Sequence, residues 1–218
     1  MRRRVFIFIN GILSNPGDSD GWTDRAVTWI HTRTPDGIYG EKFEYATGPL
    51  TRRLWQGVRA QAIARMVQFY HRAKYDVSLV GHSNGCDLIA RVIDGLNVSV
   101  RSVHLFAPAA DGADFARAIH EQAVGHVYLY GSTKDKALGF ARVTGVALRR
   151  FGLGYGSLGV QHADFAASFP NHVTNCSNDT FGHSDWFARD THFDDTMRLI
   201  ATNEGVPVEE LPFTPAAP

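Results

Sequence analysis

Short runs of β-branched and aromatic residues alternate with longer helical patterns along this chain, and the alternation limits the folds open to it. The runs at residues 77–80, 102–106 and 126–130 are apolar almost throughout, which is typical of strands covered by helices on both faces. The sequence therefore predicts an α/β fold class, a three-layer sandwich with a mainly parallel sheet of about six strands and helices on both faces. The other predicted strands are residues 5–9, 42–46 and, more weakly, 172–176.

Helical periodicity fills the intervals between these runs. Over residues 54–70 an apolar side chain recurs every four positions, which indicates an amphipathic helix with that face against the sheet. The segment Thr191-His192-Phe193-Asp194 has the form of a capping box and predicts the start of a last helix. Further helices are expected over residues 24–32, 84–94, 114–122 and 136–150.

Charge and hydropathy narrow the class of partner. The 218 residues contain 22 Lys and Arg against 22 Asp and Glu, so no global field attracts nucleic acid or an anionic membrane. No apolar stretch approaches the roughly 20 residues that span a bilayer, and the run at residues 5–9 is too short for a signal peptide. We therefore expect one cytoplasmic domain over residues 1–218 with a small-molecule partner; the oligomeric state is not predicted.

The most informative motif follows the third predicted strand. Gly81-His82-Ser83-Asn84-Gly85 places G-x-S-x-G between an apolar strand and a helical pattern, which is the context of a nucleophile elbow. Such a turn requires small residues two positions either side of the serine, and Gly81 and Gly85 meet that need. We expect the bend to raise the Ser83 hydroxyl above the sheet and to aim the Asn84 N–H at an oxyanion. The alternative is a plain strand-to-helix turn.

With this motif the chain resembles the α/β-hydrolase superfamily. Phe8-Ile9-Asn10-Gly11-Ile12 is similar to that family's first core strand running into its oxyanion loop, and by position Ile12 would supply the second oxyanion N–H. Family members usually carry His-Gly there, whereas Asn10 precedes Gly11 here. A simple Asn-Gly turn is the alternative. The chain leaves little room for a cap domain, so the resemblance implies a compact hydrolase similar to cutinases and small lid-less lipases.

A nucleophilic serine needs a base, and that base needs a carboxylate to fix its tautomer. In this superfamily the chain order is serine, acid, histidine. Seven of the ten histidines follow Ser83, so order alone decides little. His183 is similar to the family's catalytic histidine, because it lies late in the chain, follows a weak strand and has Gly182 beside it to permit a tight loop. A structural role for His183 is the alternative.

Asp135 is the predicted acid, because a buried strand runs into a glycine turn before it, as in the family's acid loop. An aspartate there could equally cap the following helix. Asp111 and Asp114, after the preceding strand, compete for the same role. Asp179 and Asp185 are too close to His183 in the sequence to orient it easily.

Two other patterns carry little weight. Residues 154–159 satisfy G-x-G-x-x-G but lack the preceding strand, the helix and the acidic partner of a dinucleotide site. Scattered histidines and aspartates late in the chain lack metal-site spacing, so we expect neither a cofactor nor a metal. The glycine-rich and aromatic segment 151–171 is predicted to form a loop over the site.

Together these residues predict a carboxylic ester hydrolase, a serine esterase or lipase that acts on a small-molecule acyl ester through an acyl-enzyme. The same residues would also serve a thioesterase, an amidase or an acyltransferase, and the fold hosts non-catalytic binding proteins. The sequence does not predict the acyl-chain length.

Overall fold

The computed structural model describes residues 3–11, 21–45, 55–136, 138, 156, 158–188 and 192–209. In these ranges six parallel strands form one sheet with the order β2-β1-β3-β4-β5-β6. The predicted fold class is therefore confirmed. The strands are β1 (Arg3–Ile9), β2 (Ile38–Phe43), β3 (Tyr75–His82), β4 (Val100–Phe106), β5 (Val124–Tyr130) and β6 (Val173–Asn175).

Six α-helices lie in the described ranges, together with a 3-10 turn at Asp185–Phe187. None of the described helices is both long enough and apolar enough to cross a bilayer. The helices are α1 (Trp22–Arg33), α2 (Gln56–Arg72), α3 (Asn84–Asp94), α4 (Gly112–His120), α5 (His162–Ser168) and α6 (Phe193–Asn203).

The sheet is buried on both faces, and strand β1 shows why its sequence is apolar throughout. Val5, Ile7 and Ile9 point into the core beneath α2 to α5. Phe6 and Phe8, which alternate with them, point into the core beneath α1 and α6. All five side chains are fully buried, so neither face could carry the polar residues that a one-sided sheet would show.

Strand β2 differs from its prediction, because it begins at Ile38 and ends at Phe43 instead of spanning residues 42–46. Gly40, at its centre, interrupts the apolar pattern. A Cβ atom at Gly40 would lie 3.0 Å from Val27 Cα, so helix α1 packs directly on the strand backbone. The glycine permits this close contact. Because it has no apolar side chain, it also interrupts the hydrophobic pattern from which the strand would have been predicted.

The segment predicted as a loop over residues 151–171 contains a helix, α5, in its described part. Before that helix, Gly156 N–H and Gly159 N–H donate to the carbonyls of Ala109 and Pro108 at 3.2 and 3.1 Å. A Cβ at Gly156 would lie 1.9 Å from the Ala110 carbonyl carbon, so this glycine serves close packing. Residues 151–155 and 157, and the predicted helix beyond 136 and 138, lie outside the described residues.

The direction of winding reverses at β1, which pairs with β2 on one side and β3 on the other. In open parallel sheets the crevice at such a reversal, beyond the carboxyl ends of the strands, is where ligands bind. Gly11 and Ser83 follow the ends of these two neighbouring strands. The fold therefore brings the predicted oxyanion loop and the predicted nucleophile to the same edge.

Candidate active site

Ser83 occupies the bend between β3 and α3 with φ 54° and ψ −117°, a conformation that non-glycine residues rarely adopt and that costs about 1–3 kcal/mol. The flanking glycines are required by space. A Cβ at Gly81 would lie 2.7 Å from Ile89 Cδ1, and one at Gly85 would lie 2.5 Å from the Ile9 carbonyl oxygen. The strand and the helix therefore pass each other closely, as the motif predicts.

Backbone groups at the carboxyl end of β4 and just beyond it hold this strained residue in place. Ser83 N–H donates to the Phe106 carbonyl at 2.9 Å, and Ala109 N–H donates to the Ser83 carbonyl at 3.2 Å. Both backbone groups of the serine are therefore occupied.

The imidazole of His183 joins the serine to Asp135. Ser83 Oγ lies 2.9 Å from His183 Nε2, and His183 Nδ1 lies 2.8 Å from Asp135 Oδ2. Since a carboxylate only accepts, Nδ1–H donates to Asp135 and the unprotonated Nε2 accepts the serine O–H. The His183 side chain is 23% exposed and that of Asp135 only 1%, so the carboxylate is enclosed while the histidine edge is reachable.

Asp135 combines the two roles that its sequence position allows. Its Oδ1 accepts a hydrogen bond from Leu138 N–H at 2.9 Å, which is the geometry of a helix cap, while Oδ2 faces His183. Of the competing aspartates, Asp111 is the N-cap position of α4 and Asp114 lies in its first turn, 3.8 Å from Arg117. Among the three candidates, Asp135 is the aspartate that the structure brings to His183.

Asp179 and Asp185, which are near His183 in the sequence, hold loops in place and do not contact its ring in the bonds described here. Asp185 Oδ2 accepts from Gly182 N–H at 2.7 Å and closes the turn that carries His183. Asp179 Oδ1 accepts from both the N–H and the hydroxyl of Thr133, at 2.8 and 2.9 Å. The histidine loop is thereby tied to the loop that carries Asp135.

Two amide groups are predicted to form an oxyanion hole. Asn84 begins α3, so its N–H has no partner within the helix and lies at the positive end of the helix dipole. Gly11 lies against Ser83, since a Cβ there would be 3.2 Å from Ser83 Cβ. Ile12, the predicted second donor, lies outside the described residues and keeps its role as a prediction.

A buried polar network behind the elbow was not predicted from the sequence. Asn84 Nδ2 donates to the Tyr45 hydroxyl at 2.9 Å, and the hydroxyl donates to the Asn10 carbonyl at 3.0 Å. Gln56 Nε2 donates to Asn84 Oδ1 at 3.3 Å. The network ties the first residue of α3 to the end of β1. No local sequence motif predicts that Tyr45 and Gln56 take part in it.

The contact made by His82, at the first variable position of the motif, was also not predicted from the sequence. Its Nε2 lies 2.8 Å from the His183 carbonyl oxygen, so Nε2–H donates to that carbonyl.

Within the described ranges, no three histidine, cysteine, aspartate or glutamate residues are grouped as metal ligands would be.

Comparison with known proteins gives structural matches alone. No protein-family model matches the sequence, and no curated protein matches it. Among solved structures, esterase PE8 is 12% identical with a TM-score of 0.57, over 92% of this chain and 93% of that one.

Two further matches extend the comparison. A Pyrobaculum calidifontis esterase is 13% identical with a TM-score of 0.59, over 93% of this chain and 76% of that one. A fungal esterase from Rhizomucor miehei is 12% identical with a TM-score of 0.58, over 93% of this chain and 74% of that one. At such identities the likeness concerns the fold alone. The parallel six-stranded sheet of this protein is consistent with that likeness. This protein therefore has the α/β-hydrolase fold.

Proposed function

We propose that this protein is a serine hydrolase that cleaves carboxylic esters. The observation that carries the proposal is the continuous hydrogen-bonded chain from Ser83 Oγ through His183 to Asp135, with distances of 2.9 and 2.8 Å. The three side chains follow different strands, β3, β5 and β6, and meet at the carboxyl edge of the sheet, where ligands bind in this architecture. The strained backbone of Ser83 is a second support, since such strain concentrates at functional sites.

In the proposed reaction Ser83 Oγ attacks the acyl carbonyl carbon while its proton passes to His183 Nε2. Asp135 stabilises the imidazolium that forms, and the N–H groups of Asn84 and Ile12 bind the oxyanion. When the intermediate collapses, the bond to the alcohol oxygen breaks and His183 gives its proton to that oxygen. Water then attacks the acyl-enzyme, His183 takes the water proton and returns it to Ser83 Oγ, and the carboxylic acid leaves.

Esters are the proposed substrate class because the structural matches named above are esterases. Thioester and amide cleavage would use the same steps with a different leaving atom. These substrate classes differ in the leaving group, and an amine must be protonated earlier in the reaction than an alcohol before it can leave.

The test uses a fluorophosphonate probe and a series of p-nitrophenyl esters of increasing acyl length. Wild-type protein should be labelled at one serine and should hydrolyse part of the series. Ser83→Ala should abolish labelling and lower kcat by about 10⁶-fold, the loss found when such a serine is removed. The exposed Ser168, on α5, provides the matched control, and Ser168→Ala should keep both activities.

A folded wild-type protein that is neither labelled nor active on any ester of the series would contradict the proposal and favour a non-catalytic binding protein. Activity on thioesters alone, with labelling intact, would keep the mechanism and change the substrate class.

A further inference from the structure

The residue that precedes the nucleophile touches the residue that supplies the base. His82 Nε2–H donates to the backbone carbonyl of His183 at 2.8 Å, across 101 positions of sequence. The two imidazole rings lie 5.1 Å apart between centroids, with planes inclined by 51°. One turn of chain therefore carries both the nucleophilic hydroxyl and a clamp on the backbone of the histidine loop.

The ring of His82 is held firmly enough to act as a clamp. Trp22 and Phe187 meet it edge-on, at 6.4 and 5.9 Å between centroids. On another side a Cβ at Gly11 would lie 3.3 Å from His82 Nδ1, so the start of the oxyanion loop limits rotation of the ring. The donor nitrogen is consequently fixed in direction as well as in position.

His82 also stays neutral where the base must become charged. Burial among these groups, together with the charge that His183 can carry, lowers the pKa of His82 to about 4 and outweighs the hydrogen bond to the His183 carbonyl and the charge of Asp135, which both raise it. A second cation beside His183 would disfavour the imidazolium that forms during acyl transfer. A neutral donor holds the loop without that penalty.

Asp179 and Asp185 hold the flanks of the His183 loop, and the hydrogen bond from His82 acts on the His183 backbone itself. His183 lies in a turn next to Gly182, outside the regular elements, and its ring is tied to Asp135 through Nδ1 alone. The hydrogen bond to Asp135 fixes the direction of the ring, but it leaves the backbone from which the ring projects to be fixed by other contacts. A displacement of about 1 Å at a reacting group can cost about 100-fold in rate.

We propose that His82 is a positioning residue for catalysis, which holds the His183 backbone so that Nε2 of His183 stays within hydrogen-bond reach of Ser83. The inference rests on the proposed serine hydrolase function and adds a residue to it. His82 acts through His183 and does not touch the reacting atoms.

The test compares variants that remove or keep the donor. His82→Phe keeps a ring of similar shape without a donor, and it should lower kcat and the rate of fluorophosphonate labelling by about 10–100-fold, with little change in KM. His82→Gln restores an N–H near the place of Nε2 and should recover activity to within about threefold of wild type. If His82→Phe does not fold, His82→Met removes the donor with a side chain that adapts to the same space.

The control applies the same substitution nearby. His192 packs on Phe181 at 4.3 Å between centroids, and His192→Phe should leave labelling and kcat unchanged. Equal labelling rates for wild type and folded His82→Phe, or equal loss in His82→Phe and His82→Gln, would overturn the positioning role while the serine hydrolase function stands. Failure of the wild type itself to label would instead remove the function on which the inference rests.

Discussion

Within the described residues, two histidine-carboxylate pairs lie in different surroundings. His183 and Asp135 lie at the carboxyl edge of the sheet, 2.8 Å apart, and the remaining nitrogen of His183 accepts from the Ser83 hydroxyl. His104 and Glu204 lie 3.0 Å apart beneath the sheet, and the remaining nitrogen of His104 meets the Tyr130 hydroxyl at 2.9 Å. The side chains of the second pair are 0% and 2% exposed, against 23% for His183.

The enclosed pair belongs to a polar network that fastens the end of α6 to β4. Glu204 accepts from Arg101 Nε at 2.7 Å, from His104 and from the Ser102 hydroxyl. Burial opposes the charge on Glu204, but these hydrogen bonds and the charge that His104 can carry outweigh it and lower the pKa of Glu204 to about 2. Burial is also the largest influence on His104 and lowers its pKa, against the hydrogen bond to Glu204 and the charge of Glu204, which raise it.

The comparison teaches that a histidine beside a carboxylate is not in itself a catalytic feature. Both carboxylates fix the tautomer of their histidine in the same way. The difference lies in the other ring nitrogen, which meets a reachable serine hydroxyl in one case and a buried tyrosine in the other. We therefore expect changes in the first pair to affect turnover and changes in the second to affect stability.

The largest expected effect breaks the first pair. Asp135→Asn should lower kcat/KM by about 10³–10⁴-fold, because an amide favours the wrong tautomer of His183. The amide oxygen can still cap Leu138 N–H, so the variant should fold. Hydrolysis kinetics of the best p-nitrophenyl ester measure the effect, and Asp114→Asn is the matched control. A collapse in Asp114→Asn with activity retained in Asp135→Asn would reverse the assignment.

A smaller effect is expected at the second pair. Glu204→Gln should lower the free energy of unfolding by about 2–3 kcal/mol, since it weakens hydrogen bonds to a buried charged group. Turnover of the folded variant should stay within about twofold of wild type. Urea denaturation measures the stability, and Glu209→Gln, at an exposed position, should change it by less than about 0.5 kcal/mol. Loss of turnover without loss of stability would contradict the division between the pairs.

The pH dependence of that stability sharpens the comparison further. The pKa of Glu204 falls from its ordinary value of 4.5 to about 2 on folding, so the folded protein binds fewer protons than the unfolded chain between these values. The stabilisation is fully present above about pH 4.5 and is lost as the pH falls towards 2. The difference in unfolding free energy between wild type and Glu204→Gln should therefore shrink over this interval. A constant difference would show that the carboxylate charge contributes nothing.

Local patterns predicted most of the fold and the sharp bend at Ser83. Ser83 and its flanking glycines are announced by a motif between a strand and a helix, because the bend itself demands those residue types. His183 and Asp135 followed from resemblance and chain order. Their meeting in space could not be read from periodicity, since each lies in a loop.

The missed contacts all join residues remote in sequence. The bond from Asn84 to Tyr45 spans 39 positions, that from His82 to the His183 carbonyl spans 101, and that from His104 to Glu204 spans 100. Such pairs leave no spacing signal, because the chain between them can take many lengths. The early start of β2 was missed for a different reason, since Gly40 removes an apolar side chain where α1 approaches.

The 100 positions between Ser83 and His183 bear on biosynthesis. A ribosome completes the bent serine early and adds the imidazole only after another hundred residues have been translated. On the proposed mechanism the nascent polypeptide therefore carries a hydroxyl without its proton acceptor and stays inert towards acyl compounds around it. On the same mechanism, hydrolysis requires the loop that carries His183 to dock against Ser83, so the proposed activity depends on a contact that only the later part of the chain can make.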